Sequence, residues 1–293
     1  MDAEVLEKYR EAGRVLAAVM KEAAPKIEVG ASLLDVAEFV EESIILKGAK
    51  PAFPCNISLD RAAAHYTPSP ADATVFKENM VKLDIGVHVD GYVADAALTV
   101  DLSGHDDLTE ASKAALDVAI ELAKPGTNTS EIGAAIEKAI SGYGYKPVGN
   151  LTGHGLLRYE AHAEPSIPNR AVEKGVILKD GDVIAIEPFA TDGQGRISEA
   201  PITEIYGFAA SRPVRIPQAR DLMKYISQNF ETLPFARRWL KGDRAEFALL
   251  QLLRAGAVYR YPVLWEVEGA LVSQAEHTVV ILESGSEVIT DLI

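Results

Sequence analysis

At 293 residues, 48% hydrophobic and 25% charged, the chain can bury a substantial core in one large domain or one domain carrying a smaller insertion. Its net charge of -14 argues against a general nucleic-acid surface, and no apolar run approaches membrane-spanning length. The only cysteine, Cys55, excludes an intramolecular disulfide; with a charged, helix-patterned N-terminus instead of a signal peptide, a cytoplasmic setting is expected.

Val5, Leu6, Tyr9, Ala12, Leu16 and Met20 recur at helical spacing and predict an amphipathic helix over 2–23. Glu28 to Lys47 repeats the pattern. Ser32 is its cap, Asp35 stands three residues on, and Leu34, Val36, Ala37, Val40 and Ile44 form the apolar face. Lys50 to Asp72 reads as a loop punctuated by Pro51, Pro54, Pro68 and Pro70, with Phe53 and His65 too specific for filler.

Val81 to Val100, VKLDIGVHVDGYVADAALTV, alternates like two half-buried strands joined by a tight turn at Asp90-Gly91. Asp84 interrupts the first apolar run and Asp95 the second. A carboxylate so placed has to be paired, hydrogen-bonded or metal-bound. Opposed across the hairpin, the two could share a cation; pairing with an arginine or lysine is the other reading.

A third helix is expected over Leu108 to Lys124. PGTNTSEIGAAIEKAI from Pro125 then echoes VGASLLDVAEFVEESI from Val29: Gly126 matches Gly30, Glu131 matches Asp35, Ile132 matches Val36, Ile136 matches Val40 and Glu137 matches Glu41. Each helix leads, through an irregular stretch with a histidine, into a strand with an acidic residue, Asp84 in one half and Glu187 in the other. The echo predicts a duplicated core about a pseudo-twofold axis, with a cleft between the halves.

Residues 142–170 are rich in glycine, proline and histidine, and VIAIEPF at 183–189 reads as a short apolar strand with Glu187 near its end. Arginines cluster at Arg212, Arg215, Arg220, Arg237, Arg238, Arg244 and Arg254, with helical patterns at 218–229 and 243–256, predicting a small helical insertion. Ala270 to Thr290 is strand-like again, interrupted by Glu276 and His277, and alternation turns His277 away from Glu276. His88 and His105 read as surface or loop residues and Cys55 as passive. The glycines at 142–144 and 192–195 read as turns, lacking the context of a phosphate loop.

Asp84, Asp95, His154, Glu187 and Glu276 remain as one constellation. Four carboxylates and an imidazole suit two hard-to-borderline divalent cations, which bridging carboxylates can hold roughly 3.5–4 Å apart.

The stretches FPCNISLDRAAAHYTP, KLDIGVHVDGYVADAALT, LTGHGLLRYEAHAEPSIPN, IEPFAT and QAEHTVV follow one another through essentially the whole chain. In this order and spacing the chain closely resembles the methionine aminopeptidases of type 2, the archaeal–eukaryotic kind. The resemblance implies a pita-bread fold, a pseudo-symmetric mixed α/β architecture with a curved antiparallel sheet and helices outside. It places the catalytic domain at 1–206 and 270–293 and an inserted helical subdomain at 207–269. It implies removal of the initiator methionine from nascent proteins and peptides by attack of a dimetal-bound hydroxide on the first peptide bond. Two divalent ions, drawn from cobalt, manganese, iron or zinc, would be needed.

By position, the resemblance makes Asp84 a terminal bidentate ligand, Asp95 and Glu276 bridging ligands, and His154 and Glu187 ligands of the other metal, with Glu187 also the general base. His65 matches a histidine near the scissile bond, His162 one that helps stabilise the intermediate, and Phe53 a pocket-lining aromatic; Ala161 stands where some relatives carry a larger aliphatic residue. It further implies a monomer, with nascent chains and the ribosome as partners and neither DNA nor a membrane among them. The compact start matches the archaeal form, and no large N-terminal domain of the prolidase kind fits before Asp84. Two alternatives stay open: a non-catalytic pita-bread binding protein, favoured only by the arginine-rich insertion, and a proline-directed or broader dipeptidase.

Overall fold

The two echoed segments fold alike in the computed structural model, which describes residues 1–242 and 244–291. Gly30 and Gly126, at φ +92° and +90°, take the left-handed turn that glycine adopts without strain. Ser32 then caps helix α2 (Leu33–Leu46) by accepting a hydrogen bond from the Asp35 amide, and Asn128 caps α4 (Thr129–Gly142) in a full capping box with Glu131. Both caps form isolated antiparallel bridges, Ser32 with Val75 and Asn128 with Ile177. Each helix is followed by a two-residue strand, Lys50–Pro51 or Lys146–Pro147. The first pairs with Met80–Val89, which bears Asp84; the second pairs with Phe189–Thr191, just beyond Glu187. The duplication read from the sequence is therefore structural.

Helix α1 (Ala3–Ala23) packs Tyr9, Ala12, Leu16, Val19 and Met20 into one apolar cluster with α2 and the hairpin Met80–Val89/Tyr92–Asp101. A second cluster joins α3 (Asp106–Leu122) and α4 to Ile184, Ile186, Val279 and Ile281. Each fully buried leucine or isoleucine contributes roughly 1.5–3 kcal/mol to this packing. Of the two leucines that open α2, Leu33 is buried and Leu34 only half-buried.

All strand pairings are antiparallel among the described residues. A four-stranded sheet centres on the hairpin, and a five-stranded sheet runs Gly285–Val288, His277–Leu282, Val183–Ile186, Thr152–Leu157, Glu160–Pro168. The two are stitched where Glu276 exchanges backbone hydrogen bonds with Ala97, and Thr278 Oγ1 both accepts from the Asp95 amide and donates to its carbonyl, each at 2.7 Å. The two sheets are thus tied together at Asp95, Ala97, Glu276 and Thr278.

Three expectations are corrected. The stretch 50–72, read as loop, holds strands Asn56–Leu59 and Ala62–Ala64 besides Lys50–Pro51, because Asn56 to Leu59 pairs residue for residue with Val81 to Asp84. The strand at 183–189 is two strands broken at Glu187-Pro188, since proline has no amide for the ladder. The segment expected as a helical insertion is not purely helical. Helices α5 (Pro217–Asn229) and α6 (Ala245–Arg254) pack with a three-stranded sheet of Ile205–Phe208, Phe235–Ala236 and Val258–Tyr261 around their own apolar cluster. Position 243, where the last helical pattern was expected to begin, and positions 292 and 293 lie outside the described residues.

Candidate metal centre and adjoining pocket

The hairpin register aligns Gly86 with Asp95 and Asp84 with Ala97, so the two aspartates are diagonal neighbours on one face. The break at Pro188 turns Glu187 toward them, and the Asn169 amide ties that bend by donating to the carbonyls of Glu187 and Leu151 at 3.0 and 3.1 Å. Glu276, just ahead of the strand His277–Leu282, is held by the Gln274 side chain, whose Nε2 donates to its Oε2 at 3.1 Å. His154 enters from the strand Thr152–Leu157, opposite Ala185.

All five residues line one pocket of about 350 Å³. Donor atoms of Asp95, His154 and Glu276 lie within 4.8 Å of one another, and His154 Nε2 stands 3.4 Å from Glu187 Oε1 and 3.8 Å from Asp95 Oδ2. His154 Nδ1 faces the Gly155 carbonyl at 3.3 Å. A carbonyl only accepts, so a neutral ring carries its proton on Nδ1 and turns the Nε2 lone pair toward the carboxylates.

Electrostatically the cluster calls for a cation. Burial pushes the Asp84 carboxyl up to about 7, with the Gln274 amide pulling the other way. Burial also lifts Asp95, Glu187 and Glu276 well above the ordinary carboxylate range, reinforced by the charges they impose on one another. His154 is pushed down to about 3, by burial first and then by His162. Asp84 Oδ1 and Asp95 Oδ1 are buried without a hydrogen-bond partner. Among the described residues none of the four carboxylates pairs with a lysine or arginine. Lys82, the nearest candidate in sequence, directs its ammonium to the carbonyls of Asp60 and Met80, at 2.7 and 3.3 Å. Carboxylate oxygens and an imidazole nitrogen around orphaned lone pairs fit hard or borderline divalent ions.

The same pocket is also lined by Phe53, His65, His162 and Tyr261. His65 holds a left-handed φ of 64°, with Nδ1 3.2 Å from the Pro262 carbonyl and its ring edge-on to Tyr261 at 5.4 Å. His162 lies 4.6 Å from the His154 ring and 5.9 Å from Tyr261. Burial holds His65 down at about 4, helped by His162, and lowers His162 as well. A larger groove of about 560 Å³ opens between α5 and α6 but lacks any such convergence of imidazoles and carboxylates.

The structure thus brings Phe53, His65, Asp84, Asp95, His154, His162, Glu187 and Glu276 to one cavity. Sequence reasoning missed Tyr261, Pro234 and Ile205, contributed from the insertion and its entering strand, and also Gln274. Only Gln274 had a signal, being two residues before Glu276 and so on the same face. His277 does point away, to Thr290 Oγ1 at 2.9 Å, and His105 is exposed. His88, expected at the surface, is buried: its Nδ1 accepts from the Gly91 amide and its ring meets Tyr159 edge-on. Cys55 is buried, and burial followed by the Glu41 charge keeps its thiol protonated.

The sequence model of metallopeptidase family M24 matches residues 7–217. The methionine aminopeptidase of Archaeoglobus fulgidus is 53% identical over 291 residues, covering 99% of this chain and 100% of that one. The methionine aminopeptidase of Methanocaldococcus jannaschii is 49% identical over 293 residues, covering 99% and 100%. Among solved structures, a thermophilic Arx1 superposes with TM-score 0.89 at 20% identity over 99% of this chain and 91% of that one. The Thermotoga maritima methionine aminopeptidase gives 0.74 at 23% over 99% and 98%. Prolidase from Pyrococcus furiosus gives 0.64 at 22% over 99% of this chain but 64% of its own. These structural likenesses establish the pita-bread fold.

Proposed function

The chain belongs to metallopeptidase family M24, and from that membership and its site we infer that it removes the N-terminal methionine of peptides and proteins. It is a divalent-metal-dependent hydrolase. The observation that carries this reading is the convergence of His154 and four carboxylates in one pocket that Phe53, His65, His162 and Tyr261 also line.

We propose that Asp84, Asp95, His154, Glu187 and Glu276 would hold two divalent ions, with cobalt, manganese, iron or zinc all suited to such donors. Bound there, they would activate a water molecule and polarise the carbonyl of the first peptide bond. Glu187, made more basic by burial, would take the water's proton and deliver it to the leaving amine. His65 carries its proton on Nδ1, against the Pro262 carbonyl, which leaves Nε2 to accept a hydrogen bond from a substrate amide. His162, kept neutral, would donate to the oxygen on which charge develops. Phe53 would line the methionine side-chain pocket. The substrate's free α-amine would bind beside the metal and its carboxylates, which would make the activity exo.

The reading extends to a monomer acting in the cytoplasm on nascent chains at the ribosome, with 1–206 and 270–293 as catalytic domain and 207–269 as an inserted subdomain. A lone, buried thiol suits a reducing compartment, and the separate apolar cluster of the insertion supports that division. The deciding experiment is release of methionine from a Met-Ala-Ser peptide by metal-stripped protein, with and without manganese or cobalt, beside an N-acetylated copy. Metal-dependent cleavage of the free-amine peptide alone is expected. No release with any divalent ion, from folded protein that binds metal, would overturn the reading for the non-catalytic alternative.

A further inference from the structure

The echo that pairs Glu41 with Glu137 also marks where the halves differ. Each carboxylate accepts a backbone amide from its own half, Glu41 from Cys55 at 3.1 Å and Glu137 from Ala171 at 2.7 Å. Only Glu41 has been taken up by the insertion as well. Its Oε1 is ion-paired with Arg238 Nη2, and its Oε2 accepts from Trp239 Nε1 at 2.7 Å. Arg238 Nη1 goes on to donate to Thr67 Oγ1 at 2.6 Å and to the Pro68 carbonyl at 3.1 Å, while Thr67 Oγ1 donates to the Cys55 carbonyl at 2.7 Å. The side chains of Arg238 and Glu41 are 5% and 10% exposed.

This network grips the segment 53–68 on either side of its pocket-lining residues Asn56, Ala64 and His65. Cys55 lies between Phe53 and Asn56, and Thr67 lies two residues from His65; Phe53, Asn56 and His65 all line the cavity. Pro234, four residues before Arg238, lines the same cavity from the insertion side. An apolar contact could hold the insertion down, but only directed hydrogen bonds fix the orientation of one piece against the other. We propose that Glu41 and Arg238 are positioning residues for the methionine-binding pocket, seating the inserted segment so that its wall and the wall bearing Phe53 and His65 close on the substrate together. The proposed metal-ligating side chains stand on other segments of the chain, so the pair acts on binding more than on the chemical step.

The inference rests on the aminopeptidase reading, and the test separates the two. Metal-loaded wild type is compared with Arg238→Met, Arg238→Lys, Glu41→Gln and, as control, Arg237→Met on a Met-Ala-Ser peptide, with thermal unfolding recorded for each. Arg237 pairs with Glu204 and Glu246 and makes no hydrogen bond or ion pair with residues 53–68. Arg238→Met is expected to raise KM about tenfold with kcat held within about threefold, the signature of lost binding that substrate and transition state share. Arg238→Lys, which keeps the charge but not the planar fork, and Glu41→Gln should fall between, and Arg237→Met should leave KM within about twofold. A folded Arg238→Met with wild-type KM, a loss confined to kcat, an equal loss in Arg237→Met, or failure of all three network variants to fold would each overturn the proposal. A wild type that cleaves no methionyl peptide would instead sink the aminopeptidase reading.

Discussion

The Phe53 ring lies over the α-carbon of Gly86, so that a β-carbon placed at Gly86 would fall 2.2 Å from Phe53 Cε1. Gly86 also faces Asp95 in the hairpin register. The absence of a side chain at Gly86 therefore lets the pocket floor sit directly against the strand that bears Asp84. Gly86→Ala should displace the ring, cost about 1–3 kcal/mol by overpacking and raise KM for methionyl peptides. Urea unfolding and Michaelis kinetics on the same preparation check both; unchanged values would show that the ring does not form the pocket floor.

As the proposed base, Glu187 would carry the proton transfer; its Oε1 lies 3.4 Å from His154 Nε2 and burial raises its basicity. Glu187→Gln preserves the shape and the bend that Asn169 ties through the backbone. Turnover is expected to fall about 10²–10⁴-fold with the thermal midpoint little changed. Near-wild-type turnover would remove Glu187 from the role of base, and metal titration of the variant separates a lost base from a lost ligand.

The hairpin and the echo were legible because both rest on local rules: alternation broken by an aspartate, an Asp-Gly turn, and caps followed by helical periodicity. Asp84, Asp95, His154, Glu187 and Glu276 stood out as polar groups in apolar or glycine-rich settings, which burial makes conspicuous. What stayed hidden depends on pairing across the chain. The strand Asn56–Leu59 exists because it meets Val81 to Asp84, and its flanking prolines disguised it as loop. Tyr261 and Pro234 reach the pocket from a segment far along the chain from Phe53 and Asp84, and His88 is buried between paired strands with Tyr159 against its ring. Pro188 did mark a strand end, a signal overlooked within an otherwise apolar run.

Helix α1 approaches the C-terminal segment so closely that a β-carbon at Gly13 would lie 2.0 Å from the Ile289 carbonyl oxygen. Backbone cannot yield as a side chain does. Gly13→Ala should therefore destabilise the protein by about 1–3 kcal/mol or more, although alanine is the better helix former by roughly 1 kcal/mol. A midpoint at or above wild type would mean that α1 can shift freely off Ile289.

Metal removal should reverse the usual dependence of stability on pH. Asp84, Asp95, Glu187 and Glu276 have folded pKa values above their unfolded ones, so the folded state holds more protons and stability falls as pH rises through the raised values. The buried histidines oppose this. His65 and His154, held at about 4 and about 3, lose stability as pH falls below their unfolded value of about 6.5. About one unit above that value they are neutral in both states and drop out, as do His88, His162 and His277, which burial also lowers. Lys82, lowered to about 7, then contributes a slope of the opposite sign, but as one group against Asp95, Glu187 and Glu276. Metal-stripped protein should therefore unfold at a lower temperature at pH 8.5 than at pH 7.5. A divalent ion favours the ionised carboxylates, so its stabilisation should grow over the same interval and reach about 2.7 kcal/mol at a hundredfold excess over Kd. Thermal midpoints of stripped and reloaded protein at the two pH values measure both effects; a stripped midpoint that rises with pH would show that the four carboxyls do not share one buried site.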